Sequence, residues 1–104
     1  MNNKNTPKEK RVVLKDNYDF LKALAHKTRL KIINQLLKNK ELSCTQIKNL
    51  IQIPQPTLSY HLEVLKREKI ITVKSSGSSH YYQLIPQTFE KYGVDYQKLL
   101  DSKN

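Results

Sequence analysis

The chain has 104 residues, which is enough for one small domain with a single core but too few for a large enclosed active site. Its 19 Lys and Arg against 9 Asp and Glu give a formal net charge of +10, which favours a polyanionic partner such as nucleic acid, although its lysine-rich composition also follows from an AT-rich genome. Because the only cysteine is Cys44 and no apolar run approaches the roughly 20 residues of a membrane helix, we expect no disulfide framework and no membrane span, but a soluble cytoplasmic protein.

Residues 1–15 form a polar and basic N-terminal segment with no helical period until Val12. This composition predicts a mobile arm. Two interpretations of the arm stay open: a solvated tail, or a segment that lies along DNA phosphates.

Two amphipathic helices follow the arm. In "DNYDFLKAL", from Asp16 to Leu24, the apolar residues Phe20, Leu21 and Leu24 share one helical face. The segment "HKTRLKIINQLLKNK" repeats the pattern at i, i+3 and i+7. Its apolar positions are Leu30, Ile33 and Leu37, backed by Ile32 and Leu36.

The next two segments have the pattern of a helix-turn-helix. In "ELSCTQIKNLIQIP", Ser43 is a natural N-cap, and Cys44, Ile47 and Ile51 lie on one face of a short helix that "QIPQP" interrupts. The following stretch, "PQPTLSYHLEVLK", carries leucines at i, i+4 and i+7, which are Leu58, Leu62 and Leu65. Two helices joined by a tight break, with polar residues at the start of the second, are typical of this motif.

The face of the second helix opposite its leucines is rich in hydrogen-bonding side chains. Free N–H groups in its first turn favour a phosphate, and a glutamine amide can address adenine bidentately. We therefore predict DNA contacts from Gln55, Thr57, Ser59, Tyr60, His61 and Arg67. His61 lies on the edge of the helix, between the side that packs on the core and the side that faces DNA. Glu63 either accepts a hydrogen bond from a cytosine amino group or points to solvent at the rim of the interface. The alternative is an ordinary amphipathic surface helix, which the neighbouring short helix and hairpin disfavour.

After Lys69 the apolar period changes from 3.6 to 2, which predicts a β-hairpin. The strands "IITVK" and "HYYQLI" are separated by "SSGSS", which we expect to form a five-residue flexible tip. Tyr82 and Leu84 should pack inward, on the same face as His80. The hydroxyl-rich tip can follow the phosphate backbone of DNA. The alternative is that it is an ordinary polar turn with no binding role. The predicted DNA contacts here are Lys74, Ser76, Gly77 and Ser78.

A last helix is predicted to begin at Pro86, where proline fits the first turn. Its apolar positions are Phe89, Tyr92, Tyr96 and Leu99. Gly93 costs about 1 kcal/mol inside a helix, so a break there stays open. The fold class is thus mainly α with a small β-hairpin, a winged helix-turn-helix, with residues 1–15 as the arm and 16–100 as the domain.

Three segments resemble the ArsR/SmtB family of winged-helix repressors, over about residues 18–85. They are "LKALAHKTRLKIINQL", "QIPQPTLSYHLEVLKREKII" and "GSSHYYQL". The resemblance implies a homodimeric repressor in which the terminal helices, about 16–24 and 86–100, form the dimer interface. The corresponding residues are Phe20, Leu21, Phe89, Tyr92, Tyr96 and Leu99.

The chain departs from the family's metal sites. The family motif places two cysteines one residue apart after Glu-Leu, whereas "ELSCTQI" has Ser43 and Thr45 there, with Cys44 between them. From Pro86 onward there is no histidine, and no four-ligand set is visible. We expect no metal and no cofactor, and the effector is unknown. Cys44 is either a small core residue or a redox-sensing thiol.

The leading functional hypothesis is a sequence-specific repressor that binds double-stranded DNA as a dimer, with half-sites of a palindromic operator about 34 Å apart. The alternative is a winged-helix protein–protein module that binds an acidic partner. An enzyme is not predicted, because Ser59 and His61 are two residues apart on a helix and do not face each other.

Overall fold

The structure is a computed structural model that describes residues 17–95 and 98. The elements in chain order are α1 (Tyr18–Leu24), α2 (Lys27–Asn39), β1 (Leu42–Ser43), α3 (Cys44–Ile51), α4 (Gln55–Arg67), β2 (Ile71–Ser76), β3 (Ser79–Leu84) and α5 (Pro86–Lys91). The predicted order of helices and hairpin is confirmed. The arm, Asp16, Tyr96 and Leu99 lie outside the described residues.

The sheet has three antiparallel strands in the order β1-β3-β2, so the wing is larger than predicted. The strand that the sequence did not reveal is β1, a two-residue element whose Leu42 pairs with Tyr82. So short a strand leaves no period to detect. Its position next to β3 attaches the wing to the start of α3.

The tip of the hairpin differs from the predicted five-residue flexible loop. Ser76 pairs with Ser79, so the strands continue through the serines and only Gly77 and Ser78 form the turn. Gly77 has φ +65°, the left-handed conformation that two-residue hairpin turns require. The serines pair because their backbone N–H and carbonyl groups continue the hydrogen bonding between β2 and β3. The serine-rich composition did not indicate this pairing.

Within the described residues, one apolar core joins α1 to α5 and to the helix-turn-helix. On α2 the fully buried apolar positions are Ile32, Ile33 and Leu36, whereas the predicted stripe residues Leu30 and Leu37 are half-buried. Tyr82 and Leu84 of β3 pack against the core, as predicted.

The packing of α5 on α1 corrects two of the predicted interface residues. Phe20 is 1% exposed; its ring contacts Phe89 edge to face, with centroids 5.8 Å apart, and stacks on Tyr92 at 4.5 Å. Phe89 is also buried. Both phenylalanines therefore belong to the core within one chain, because α5 folds back onto α1, and they are not available to a second copy.

The helix α5 ends at Lys91, two residues before Gly93, which was the predicted position of a possible break. Gly93 has φ +72°, its N–H donates to the Glu90 carbonyl at 3.0 Å, and the N–H of Val94 donates to the Phe89 carbonyl at 2.9 Å. These are the two hydrogen bonds of a Schellman motif with glycine in the left-handed position. The glycine stops α5 because its left-handed conformation turns the chain, so that the N–H groups of Gly93 and Val94 satisfy the carbonyls of Glu90 and Phe89.

The start of α3 is fixed by a capping box at Ser43, which confirms the predicted N-cap. The Ser43 hydroxyl accepts from the Gln46 N–H at 3.1 Å, and the Gln46 side chain accepts from the Ser43 N–H at 2.8 Å. Two donors that the helix leaves unpaired are thus satisfied. Ile47 on α3 is buried and fixes the helix to the core.

We predict that Ser43→Ala lowers the free energy of unfolding by about 1 kcal/mol, because the Gln46 N–H loses its acceptor. The matched control is Thr45→Ala, an exposed change in the same first turn, which should alter stability by less than about 0.5 kcal/mol. Urea unfolding followed by circular dichroism measures both. Equal losses in the two variants contradict the role of the cap.

Candidate nucleic-acid interface

The second helix of the helix-turn-helix, α4, has one buried face and one exposed face. Leu58, Leu62 and Leu65 are buried, as their spacing predicts. The predicted contact residues that are exposed on this helix are Gln55, Thr57, Ser59, Tyr60 and Arg67. Since none of these five side chains is needed to fill the core, α4 presents a hydrogen-bonding surface to the outside.

The first turn of α4 is held rigidly by two prolines. Pro54 is the N-cap with φ −62°, its carbonyl accepts from the Leu58 N–H at 3.0 Å, and Pro56 occupies the second helical position. Neither proline removes a helical hydrogen bond, because N–H groups in the first turn have no partner within the helix. The exposed first turn thus starts at a fixed angle.

The side chain of Gln55 is held by two neighbours. Its amide nitrogen lies 3.2 Å from the Ser59 hydroxyl, one turn along α4, and 3.5 Å from the sulfur of Cys44 on α3. The contact with Cys44 was not predicted, because it joins two helices across the turn. Cys44 itself is half-buried and packs against the core. Its thiol therefore both fills space and restrains the residue that we predicted to contact a base.

His61 is placed differently from the prediction. Its side chain is only 4% exposed, and its Nδ1 lies 3.1 Å from a terminal nitrogen of Arg29. Burial, then the charges of His26 and Arg29, lower the pKa of His61 below its ordinary value of 6.5. The edge of α4 that carries His61 is covered by the corner between α1 and α2, which a helical projection of α4 alone does not show. His61 is therefore removed from the set of groups that can contact DNA in this conformation.

Tyr60 and Arg67 border a polar groove between α1 and α4. Tyr60 is 61% exposed, and Nε of Arg67 lies 3.7 Å from a carboxylate oxygen of Glu68. The groove is lined by Asp19, Lys22, Ala23, Arg29, Tyr60, Val64, Arg67 and Glu68. An exposed ion pair of this kind contributes little to stability, so Arg67 can exchange its partner for a phosphate at small cost.

The base of the wing contains a contact that the sequence did not reveal. Nζ of Lys74 lies 3.6 Å from Oε1 of Glu41, and the same oxygen accepts a hydrogen bond from the Gln83 amide at 2.9 Å. Glu41 stands just before β1, so its approach to the wing depends on a strand pairing that sequence periodicity missed. The carboxylate holds Lys74 at the wing base, where it competes with any other anion.

The tip of the wing is exposed. Ser76, Gly77 and Ser78 are all solvent-accessible, and a Cβ added at Gly77 would meet no atom within 4 Å. The hydroxyl of Ser75 lies 2.8 Å from Nδ1 of His80 across the two strands. The exposed turn with flanking hydroxyls has the chemistry to follow a phosphate backbone.

The part of the chain that the structure describes offers neither a metal site nor a membrane helix. Within 17–95 and 98, no group of three or more His, Cys, Asp or Glu side chains could hold a metal ion. None of the helices in these residues is long and apolar enough to cross a membrane.

Comparisons with known proteins agree with this architecture. A family model described as "Helix-turn-helix domain" matches residues 24–74. The transcriptional repressor PagR of Bacillus anthracis is 41% identical over 71 residues, which are 68% of this chain and 71% of that protein. The arsenical resistance operon repressor of Staphylococcus aureus is 37% identical over 65 residues, 62% of each protein.

Two solved structures are similar in fold. The crystal structure of PagR has a TM-score of 0.69 at 36% identity and covers 88% of this chain and 99% of its own. The second, Mb0332 from Mycobacterium bovis, is described as a homodimeric winged helix-turn-helix DNA-binding domain and a possible ArsR-family regulator. It has a TM-score of 0.71 at 22% identity, over 94% of this chain and 90% of its own.

Proposed function

The chain belongs to the ArsR/SmtB family of winged helix-turn-helix transcriptional repressors, and on this premise we propose that it represses transcription as a homodimer bound to a palindromic operator. The observation that carries the proposal is the division of α4 into a buried leucine face and an exposed face of amide and hydroxyl groups. An α-helix of this kind fits the major groove, where such groups can distinguish base pairs.

Each part of the interface has a proposed task. Gln55 and Tyr60 read bases, with the Gln55 amide restrained by Ser59 and Cys44 before DNA arrives. Thr57, Ser59 and Arg67 contact phosphates, as do the wing residues Lys74, Ser76, Gly77 and Ser78. Such phosphate contacts fix the register of the protein on DNA, whereas base contacts give preference for a sequence.

For the dimer we propose the outer face of α1. Tyr18 and Leu21 are 61% and 45% exposed although both carry large apolar groups, and Phe20 between them anchors α1 to the core. Tyr92 is half-buried and stacks on Phe20, and we keep its exposed part in the proposed interface. The M. bovis domain, which shares the fold, is described as homodimeric. We also propose that residues 16–100 form the DNA-binding domain and that residues 1–15 form a basic arm. The protein would act on chromosomal DNA in the cytoplasm.

The alternative, a module that binds an acidic protein, is not favoured by the comparisons, which point to a family of DNA-binding regulators. We propose that the chain acts by occupying DNA and not by catalysing a reaction. The two binding hypotheses differ in their response to DNA sequence, so DNA selection separates them.

Selection from a random double-stranded DNA library should return a palindrome with half-sites about 10 base pairs apart, one helical turn. Against this site, Gln55→Ala and Tyr60→Ala should each reduce the preference over random DNA by about 1–3 kcal/mol, because each variant removes a contact to a base. Fluorescence anisotropy with both DNAs measures the preference.

Gln87→Ala is the matched control for Gln55→Ala, since Gln87 is an exposed glutamine on α5, away from the helix-turn-helix. Tyr60→Phe isolates the hydroxyl group of Tyr60 from its ring. If selection yields no preferred sequence, or if Gln55→Ala and Tyr60→Ala weaken all DNA equally, readout by α4 is wrong.

The wing should act on every DNA sequence alike. Lys74→Ala should weaken specific and random DNA by the same factor and reduce the salt slope by about one, because the protein then neutralises one phosphate fewer. Glu41→Gln should do the opposite and tighten both, by at most about fivefold, because Lys74 loses a competing carboxylate while Gln83 keeps an acceptor.

The controls for these wing variants are Lys38→Ala and Glu90→Gln, which change the same charges at exposed positions on α2 and α5. Affinity across a salt series is the measurement. A change in sequence preference caused by Lys74→Ala contradicts its assignment to the phosphates.

The dimer is tested with Leu21→Glu. A buried carboxylate at a subunit interface is strongly unfavourable, so this variant should sediment as a monomer at concentrations where the wild-type chain is a dimer. Leu50→Glu is the matched control, because Leu50 is 50% exposed on α3. Analytical ultracentrifugation distinguishes the states, and an intact Leu21→Glu dimer rules out this face.

A further inference from the structure

A buried polar cluster joins α1, α2 and α4 at a single guanidinium group. Arg29 of α2 is 7% exposed. Its Nε donates to the Ala23 carbonyl at 2.7 Å and one terminal nitrogen donates to the Lys22 carbonyl at 3.5 Å, both in the last turn of α1. Its other terminal nitrogen lies 3.1 Å from Nδ1 of His61 on α4. One side chain thus caps the end of α1 and holds α4.

The chemistry of this contact fixes the protonation state of His61. A guanidinium group has only donors, so Nδ1 of His61 must accept the hydrogen bond. An imidazole with an acceptor at Nδ1 is neutral and carries its proton on Nε2. A proton added to Nδ1 removes the acceptor and places a second positive charge beside a buried cation.

We propose that Arg29 and neutral His61 are a positioning pair that sets the orientation of α4, so that DNA affinity falls when His61 becomes protonated. The inference rests on the proposed function, because its readout is binding of DNA by α4. His61 does not touch the DNA in this mechanism. It acts through the neighbouring exposed residue Tyr60 and through the position of the whole helix.

The groups around His61 determine how easily its ring can be protonated. The ring of His26, at the start of α2, lies 4.6 Å from the His61 ring, and the Tyr60 ring lies at 5.3 Å. The charged groups in the groove beyond Arg29 are Asp19 and Lys22 of α1, with Arg67 and Glu68 at the end of α4. Burial, His26 and Arg29 lower the pKa of His61, and the carboxylates of the groove do not reverse that direction.

The sign of the pH dependence follows from the lowered pKa. Below pH 6.5 the unfolded chain binds a proton at this histidine more readily than the folded chain does. The contribution of the pair is therefore fully present above pH 6.5 and is lost as pH falls through the lower pKa of the folded state. Binding that requires the neutral ring should weaken over the same interval.

The decisive variants are Arg29→Lys and His61→Asn. Lysine keeps the charge but cannot reach α1 and α4 together, so at about pH 8 DNA affinity should fall roughly tenfold while the helical circular dichroism spectrum is retained. In His61→Asn the side-chain oxygen of the introduced asparagine can accept from Arg29 but does not titrate. This variant should therefore bind within about threefold of the wild type at about pH 8 and should lose the fall in affinity between about pH 8 and pH 5.5.

His26 is the histidine whose ring lies beside His61, so it needs its own control. Its Nδ1 accepts from the Thr28 N–H at 3.1 Å as the N-cap of α2, a task that asparagine also performs. His26→Asn should keep the greater part of the pH dependence if His61 is the responsible group. Nitrogen NMR shifts of the imidazole rings report the tautomer directly, and His61 should be in the Nε2–H form.

The outcomes separate this inference from the proposed function. If the wild-type chain fails to bind any DNA at about pH 8, the proposed function and the inference both fail. If it binds but His61→Asn keeps the wild-type pH profile, or NMR finds the proton of His61 on Nδ1, only the inference is overturned. Should Arg29→Lys unfold, His61→Asn and the tautomer still decide the matter.

Discussion

The burial of the leucine face of α4 is the constraint on which the rest of the interface depends. Leu58, Leu62 and Leu65 lie in the same core as Ile33 and Leu36 of α2. Full burial of a leucine side chain is worth about 1.5–3 kcal/mol, so three of them oppose any rotation of the helix that would expose them. With the rotation fixed, the exposed positions of α4 are decided by helical geometry alone, and the chain places hydrogen-bonding groups there.

The backbone at the ends of the helices fixes the direction in which the chain enters the next element. Three residues that follow helices have positive φ although none is glycine. Lys40 and Gln52 come directly after α2 and α3, and Lys69 is the second residue after α4. Such residues cost about 1–2 kcal/mol each, which the surrounding packing must offset. At Lys69, hydrogen bonds from Lys69 N–H to Lys66 and from Ile70 N–H to Leu65 turn the chain directly into β2. The wing therefore leaves α4 at an angle set by backbone hydrogen bonds.

The features that could be predicted from the sequence are those that depend on residues close together along the chain. Helical spacing identified the leucines of α4, and the Ser43 cap was visible because a capping box lies within four residues. The same information could not show that Glu41 reaches Lys74, or that Phe20 stacks on Tyr92, since these pairs are distant in sequence. The predictions that failed for Phe20, Phe89 and His61 share one cause: each side chain is covered by an element that its own helix cannot reveal.

Apolar packing and the polar cluster at Arg29 restrict α4 in different ways. Contacts between leucines are non-directional and tolerate small rotations and shifts, whereas a hydrogen bond from a planar guanidinium group to one ring nitrogen does not. His61 is also adjacent to Tyr60, so it is about 100° around the helix from an exposed residue of the interface. Any rotation that moves His61 away from Arg29 must move Tyr60 by the same angle. A change of one proton in the buried cluster is therefore converted into a displacement of the exposed face without any contact between His61 and the ligand.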